Sequence, residues 1–112
     1  VFMAKQSYIE ENEENIIRFT RAIYRAQQWV KQADPQEIAE VISPFFEDTD
    51  IDLLAASIER YKNQGSFAED PILKEDGWEN LKQIMDEAGE LPADVPYDAI
   101  VNTEIAEEIM ND

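Results

Sequence analysis

The sequence predicts a mainly α-helical chain with one short strand at its N-terminus. Apolar residues recur at alternating three- and four-residue spacing through most of the 112 residues, which is typical of helices with one buried face. Gly65 and Gly89 each follow such a periodic segment, and glycine in this position often ends a helix in the left-handed conformation. The run Val1–Ala4 is apolar and β-prone instead, and no second strand-like run lies nearby to pair with it.

The composition restricts the classes of function that the chain can have. Its 26 Asp and Glu residues outnumber nine Lys and Arg residues, which gives a net charge of −17. Phosphate groups bind basic surfaces, so this charge argues against nucleic acid or an anionic membrane surface as a partner. The absence of cysteine and histidine removes disulfide bonds, thiol and imidazole catalysis, and metal sites built from these ligands. At this length we expect one domain.

The first long helix is expected to begin after Asn12. Asn12 is a candidate N-cap, and Glu13 and Glu14 place acids in the first turn, where the helix dipole favours them. The predicted buried stripe consists of Ile16, Phe19, Ile23, Ala26 and Val30. Further apolar residues flank this stripe: Ile17, Tyr24 and Trp29. Because the apolar surface is wider than one seam, we expect this helix to contact more than one neighbour.

The segment "QADPQEIAEVI" predicts the start of a second helix. Asp34 is the expected N-cap, Pro35 suits the first helical position, and Glu37 completes a capping-box pattern. Pro44 should kink or end this helix. The predicted buried face consists of Ile38, Val41, Ile42, Phe45 and Phe46.

The alternating acids Asp48, Asp50 and Asp52 resemble the first ligands of an EF-hand calcium loop, with Glu59 at the twelfth position. The sixth position of such a loop requires a residue that tolerates positive φ, and this chain has Leu53 there. The acids are better explained as the N-terminus of a helix, where carboxylates accept bonds from unpaired N–H groups.

This third helix is predicted from about Ile51 to Gln64. Its cap is either Asp50 or Thr49, the latter with Asp52 as the partner in a capping box. Its predicted apolar stripe consists of Leu54, Ala55, Ile58 and Tyr61.

A fourth helix is predicted from about Lys74 to Ala88. Its expected apolar side consists of Trp78, Leu81, Ile84 and Met85. The prolines of "ELPADVPYD" predict an extended connection, and "AIVNTEIAEEIM" predicts one or two final turns of helix.

Three blocks of this sequence carry a resemblance to a known family. They are "DTDIDLLAASIERYK" (Asp48–Lys62), "MDEAGEL" (Met85–Leu91) and "VPYDAIV" (Val95–Val101). In this order they resemble the C-terminal part of the nitrate/sulfonate/taurine/thiamine-precursor group of ABC-importer solute-binding proteins. The resemblance covers essentially the whole chain. Family members often have proline where this chain has Glu13, and their two N-terminal lobes have no counterpart here.

The resemblance implies a parent protein with two α/β lobes, of the type II periplasmic binding class, that captures a small solute outside the cytoplasm. It would deliver that solute to the membrane permease of an ABC importer. Residues 1–112 would form a single C-terminal helical segment that contributes scaffold and hinge, without catalysis, cofactor or metal. Val1–Ala4 would then resemble a strand returning from the second lobe.

Phe67 is the candidate ligand-binding residue, because the loop after Gly65 is the segment expected to approach the cleft between the lobes. The alternative is that Phe67 only anchors its loop onto the helices. Trp29 and Trp78 lie on helical apolar stripes and are predicted to be core residues.

Two other classes of function stay open. One is a free-standing acidic helical module for protein–protein interaction, which could form a homodimer through its apolar faces or through Val1–Ala4. The other is a carboxylate-based metal-dependent enzyme, which is the weakest because the usual histidines are missing. Four clustered glutamates are interpreted as a solvated helix start: Glu10, Glu11, Glu13 and Glu14.

Overall fold

The computed structural model describes residues 1–112, and all of its regular structure is helical. This confirms the prediction of a mainly α chain. In chain order the elements are α1 (Gln6–Glu11), α2 (Glu13–Gln32), α3 (Pro35–Ile42), a 3-10 turn (Ser43–Phe45), α4 (Ile51–Asn63), α5 (Glu75–Glu87), α6 (Tyr97–Ile100) and α7 (Glu104–Met110).

The residues divide into two compact units. The first unit combines residues 1–21 with residues 72–112, and the second unit is the continuous stretch 22–71. The helices of the first unit are α1, the beginning of α2, and α5 to α7, whereas the second unit holds the end of α2 together with α3 and α4. None of the helices combines the length and the apolar composition that crossing a membrane requires.

The predicted N-terminal strand is wrong. Residues Val1–Ala4 have no regular structure and lie exposed, and the chain enters α1 at Gln6. A strand is stable only when its N–H and C=O groups pair with a neighbouring strand, and residues 1–112 contain none. One apolar residue of the segment contacts a helix instead of a strand. The ring of Phe2 packs edge-on against Phe19 of α2 at a centroid distance of 4.8 Å.

The long helix α2 begins after Asn12, as predicted, but the Asn12 side chain acts on a different helix. Its Nδ2 atom donates a hydrogen bond to the carbonyl of Tyr8 at 3.1 Å, so it closes the C-terminal end of α1. The six-residue α1 has too few apolar positions to show a periodic stripe, and the sequence therefore did not reveal it. Trp29 lies exposed on α2, so its predicted place in the core is wrong. The next residue, Val30, is the one that contacts the core.

The core of the second unit forms where α3 packs against α4. Its buried residues are Ala33, Ile38, Ala39, Leu54 and Ile58. Ala39 has no accessible surface at all, which indicates that the small methyl side chain lets the two helices approach closely. The predicted capping of α3 is confirmed, because Asp34 Oδ1 accepts a hydrogen bond from the Glu37 N–H at 2.9 Å and Pro35 occupies the first position.

The predicted buried face of α3 is only partly correct. Ile38 is buried and Ile42 packs against the core, but Val41, Phe45 and Phe46 are exposed. The helix ends at Ile42, and the following 3-10 turn advances by three residues per turn, so the aromatic residues rotate away from α4. Val41 lies one position off the narrow stripe that a single helical neighbour can cover.

The helix α4 begins with the cap that the sequence suggested. Asp50 Oδ1 accepts hydrogen bonds from the N–H groups of Asp52 at 2.8 Å and Leu53 at 3.4 Å, so Asp50 rather than Thr49 is the cap. At the other end, Gly65 adopts a φ of +71°, a conformation that other residues rarely take, and ends the helix as predicted.

In the first unit, the predicted apolar side of α5 is only partly covered, because Trp78 and Met85 are half-buried but Leu81 and Ile84 are exposed. Trp78 is half-buried and its Nε1 donates to the Val95 carbonyl at 3.0 Å, while Lys82, one turn later, is the buried residue. The segment around Asp94 and Val95 therefore covers this side of α5 and leaves Leu81 and Ile84 exposed.

Lys82 is held by two carboxylates. Its Nζ lies 2.8 Å from Asp94 Oδ1 and 3.1 Å from Glu79 Oε1, and its side chain keeps only 11% of its accessible surface. The hydrogen bond that Lys82 donates to Asp94, followed by the one it donates to Glu79, raises the pKa of Lys82 above its ordinary value of 10.5. A lysine whose pKa is raised on folding stabilises the fold in its charged form.

The cap assignment predicts different effects for two neighbouring aspartates. Asp50→Ala should lower the free energy of unfolding by about 1 kcal/mol, because two N–H groups of α4 lose their acceptor. Asp48→Ala, at an exposed position, should change it by less than about 0.5 kcal/mol. Urea denaturation followed by circular dichroism measures both. Equal losses for the two variants, or stabilisation of the unsubstituted chain by calcium, would contradict the cap.

The ion pairs of Lys82 predict a loss of stability at alkaline pH. Their contribution is fully present below the unfolded pKa of 10.5 and is lost as the pH rises through the higher folded value. The stability of the unsubstituted chain should therefore fall more steeply above pH 10.5 than that of Lys82→Met. Urea denaturation from about pH 9 to about pH 11.5 tests this. Lys74→Met, at an exposed lysine, is the control and should keep the steep decline.

Candidate functional site

The loop that carries Phe67 is fastened to the end of α2. We call residues 65–71 the Phe67 loop. Gln27 Nε2 donates to the Asp70 carbonyl at 3.1 Å, and Gln28 Nε2 donates to the Glu69 carbonyl at 3.0 Å. Three separate α2 side chains thus hold two consecutive loop residues, since Lys31 Nζ also lies 3.3 Å from Glu69 Oε2. The loop has no regular structure, yet the backbone carbonyls of Glu69 and Asp70, two and three residues after Phe67, are held by hydrogen bonds.

Phe67 lies beside Tyr61 at the end of α4. The two rings meet edge to face, with centroids 6.0 Å apart and planes at 70°. Phe67 keeps 39% of its surface and Tyr61 is also exposed, so part of each ring is open to contact. Tyr61 belongs to the apolar stripe predicted for α4, but the buried part of that stripe ends at Ile58. The role of Phe67 as a ligand-binding residue stays a prediction.

Backbone hydrogen bonds join the first residues of the Phe67 loop to the last turn of α4. The Gly65 N–H donates to the Lys62 carbonyl and the Ser66 N–H to the Tyr61 carbonyl, at 3.1 and 3.0 Å. These bonds satisfy carbonyls that have no partner inside a helix. Lys62 also donates from its Nζ to the Ala33 carbonyl, which ties the end of α4 to the start of α3. The base of the loop is therefore built into the core of the second unit.

Sequence reasoning did not find the residues that hold this loop. Gln27 and Gln28 lie about 40 positions before their partners, with sequence separations of 43 and 41, and a glutamine on a helix carries no signal of a distant bond. The Gln27 Oε1 atom is buried without a hydrogen-bond donor. Burying such an acceptor costs free energy, so the Gln27 side chain is held in place by its bond to the loop at some cost.

The charged side chains are mostly exposed, and Lys82 is the buried one. Its raised pKa keeps it protonated at neutral pH, and a protonated amine is neither a nucleophile nor a base. No group of three or more Asp and Glu residues is placed so that it could hold a metal ion. The glutamates at positions 10, 11, 13 and 14 are all exposed at the ends of α1 and α2.

A comparison with known proteins finds a relative that matches almost the whole chain. The chain is 50% identical over 111 residues to a protein of Bacillus subtilis (strain 168) named "Putative binding protein YtlA". The match covers 99% of this chain and 33% of the relative, so the chain spans about a third of the length of that relative. No family model matches the chain, and no solved structure matches it.

Proposed function

We propose that this chain is the C-terminal part of an extracytoplasmic solute-binding protein of an ABC importer. In that role it contributes scaffold and hinge to the capture of a small solute and its delivery to the membrane permease. The observation that carries the proposal is the 50% identity, over almost the whole chain, with a protein named as a binding protein. The resemblance of Asp48–Lys62, Met85–Leu91 and Val95–Val101 to the nitrate/sulfonate/taurine/thiamine-precursor group supplies the importer context.

The geometry of these three blocks supports a scaffold role. Asp48–Lys62 contains the Asp50 cap and nearly all of α4, and Met85–Leu91 contains the end of α5. Val95–Val101 contributes the Val95 carbonyl that Trp78 binds. Each block therefore holds residues that fix helix ends or join segments, which is what a supporting part of a larger protein requires.

The Phe67 loop is the part of the chain that we propose contacts the solute. Solute sites combine apolar or aromatic walls with a few polar groups on a preformed frame. Phe67 and Tyr61 offer two partly open rings, and the bonds from Gln27 and Gln28 hold the loop in place before any ligand arrives. A loop that is already ordered loses less entropy on binding. Phe67 would form one wall of the cleft, with most contacts supplied by other parts of the protein.

A second candidate function is a free-standing acidic helical module for protein–protein interaction. The observation that favours it is the number of large apolar side chains at the surface, among which Phe45 is 84% exposed. Exposed apolar surface of this kind often marks a docking site. This candidate predicts a protein partner and no small solute.

The full-length polypeptide that carries this sequence should gain thermal stability from one class of solute. The panel to test contains nitrate, taurine, alkanesulfonates and pyrimidine precursors of thiamine. Because a ligand that binds only the native state stabilises it, a solute at 100 times its Kd should add about 2.7 kcal/mol. Thermal shift followed by calorimetry measures this. If no solute of the panel or of a wider metabolite set stabilises the protein, while a protein partner does, the second candidate replaces the first.

The same assay tests the role of Phe67. Phe67→Ala should weaken solute binding by about tenfold, since losing a buried aromatic contact costs roughly 1.4 kcal/mol. Phe45→Ala, at another exposed phenylalanine of the same unit, is the matched control and should bind solute normally. Equal affinities for the two variants would show that Phe67 only anchors its loop.

A further inference from the structure

The connection between α3 and α4 presents an apolar surface that no other residue of its unit covers. We call it the α3–α4 corner and define it as Val41, Phe45, Phe46 and Leu53. Phe45 is 84% exposed, Leu53 is 61% exposed and Val41 is 57% exposed. These residues come from the last turn of α3, the 3-10 turn and the first turn of α4, within thirteen consecutive positions. The corner is therefore one local surface of the second unit.

The exposure follows from how the backbone is built, so it is a persistent feature of the unit. Pro44 ends α3 and forces the 3-10 turn that rotates Phe45 away from the core. On the other side Asp50 fixes the start of α4, and its bond to the Leu53 N–H holds that residue in the first turn. Core packing through Ile38 and Leu54 already uses the inner faces of both helices. The corner residues have no inward position to move to.

The charge around the corner determines what can dock there. Residues 32–59 contain eight Asp and Glu residues and no Lys or Arg. All eight are exposed: Asp34, Glu37, Glu40, Glu47, Asp48, Asp50, Asp52 and Glu59. Four of them lie within two residues of a corner residue in the sequence and form no ion pair in this structure: Glu40, Glu47, Asp48 and Asp52. An apolar surface surrounded by negative charges favours a partner whose apolar surface is surrounded by positive charges.

We propose that the α3–α4 corner binds a basic amphipathic segment of another protein, with the partner's apolar residues against Phe45 and Leu53. Its lysines or arginines would lie against the acidic rim. A second copy of this chain is disfavoured, because pairing two corners would bring two acidic rims together, and like charges across an interface are repulsive. An anionic membrane surface is disfavoured for the same reason. This proposal does not depend on the identity of any solute.

The experiment uses the full-length polypeptide that carries this sequence and a defined probe. The probe is a synthetic leucine–lysine peptide with helical periodicity, and a leucine–glutamate peptide of the same pattern is the comparison. Isothermal titration should detect binding of the lysine peptide only, with affinity that falls from about 0.05 M to about 0.5 M salt as the rim charges are screened. Binding of both peptides, or of neither, overturns the proposal.

Substitutions locate the binding surface. Phe45→Ser should weaken binding of the lysine peptide by about tenfold or more, as removal of an interface aromatic typically does, whereas Ile84→Ser, at an exposed apolar residue of α5, should leave it unchanged. Glu47→Gln with Asp48→Asn should weaken binding severalfold and reduce its salt dependence. Glu11→Gln with Glu108→Gln removes the same net charge elsewhere and should have a smaller effect. Equal effects of target and control variants overturn the proposal.

Two further outcomes identify a different occupant. If the unsubstituted protein is a dimer by sedimentation and Phe45→Ser makes it a monomer, the corner is covered by a second copy. If Phe45→Ser lowers the melting temperature of the full-length polypeptide by several degrees, as loss of a buried aromatic does, the corner is covered by other parts of the same polypeptide. Either result overturns the proposal. A monomer with an unchanged melting temperature supports it.

Discussion

The close packing of α3 against α4 at Ala39 is the interaction on which the second unit depends. A residue with a larger side chain at this point would separate the helices, because Ala39 has no accessible surface left. The pair is aligned by capping carboxylates at the start of each helix, Asp34 and Asp50. Lys62, near the end of α4, binds the Ala33 carbonyl and closes the arrangement. The α3–α4 corner takes its position from these two helices, and the Phe67 loop starts from the end of α4 and is held by α2.

The local features of the fold were predictable from sequence because they rest on short-range chemistry. Asp34 with Pro35 marks a helix start through side-chain geometry alone, and Gly65 marks a helix end through its φ of +71°. The tertiary features were not predictable in this way. Which face of α5 is covered depends on the segment around Asp94, so Lys82 is buried while the apolar Ile84 is exposed. A periodic stripe shows that a helix is amphipathic, but not which neighbour covers it.

In the candidate site, too, the local features were predictable from sequence and the tertiary contacts were not. Phe67 could be singled out from its place in a loop, whereas its frame could not, because Gln27 and Gln28 bind carbonyls more than 40 positions away. The α3–α4 corner extends into the first turn of α4 through Leu53, and the Phe67 loop follows the end of α4. Leu53 of the corner and Tyr61 beside Phe67 are eight residues apart on α4, which separates them by about 12 Å at 1.5 Å per residue. One helix thus carries a proposed partner surface at one end and a proposed solute wall at the other, far enough apart for independent effects of substitution.

The most direct test of the central role of the helix pair is native-state hydrogen exchange of the backbone amides. If α3 and α4 form the stable centre of their unit, the amides of Ala39 and Ile58 should be its slowest to exchange, and they should open together as denaturant is added. The amides of the Phe67 loop should exchange faster than those of α4. If the amides of α3 exchange as quickly as those of the loop, the helix pair is not the element that holds the unit together.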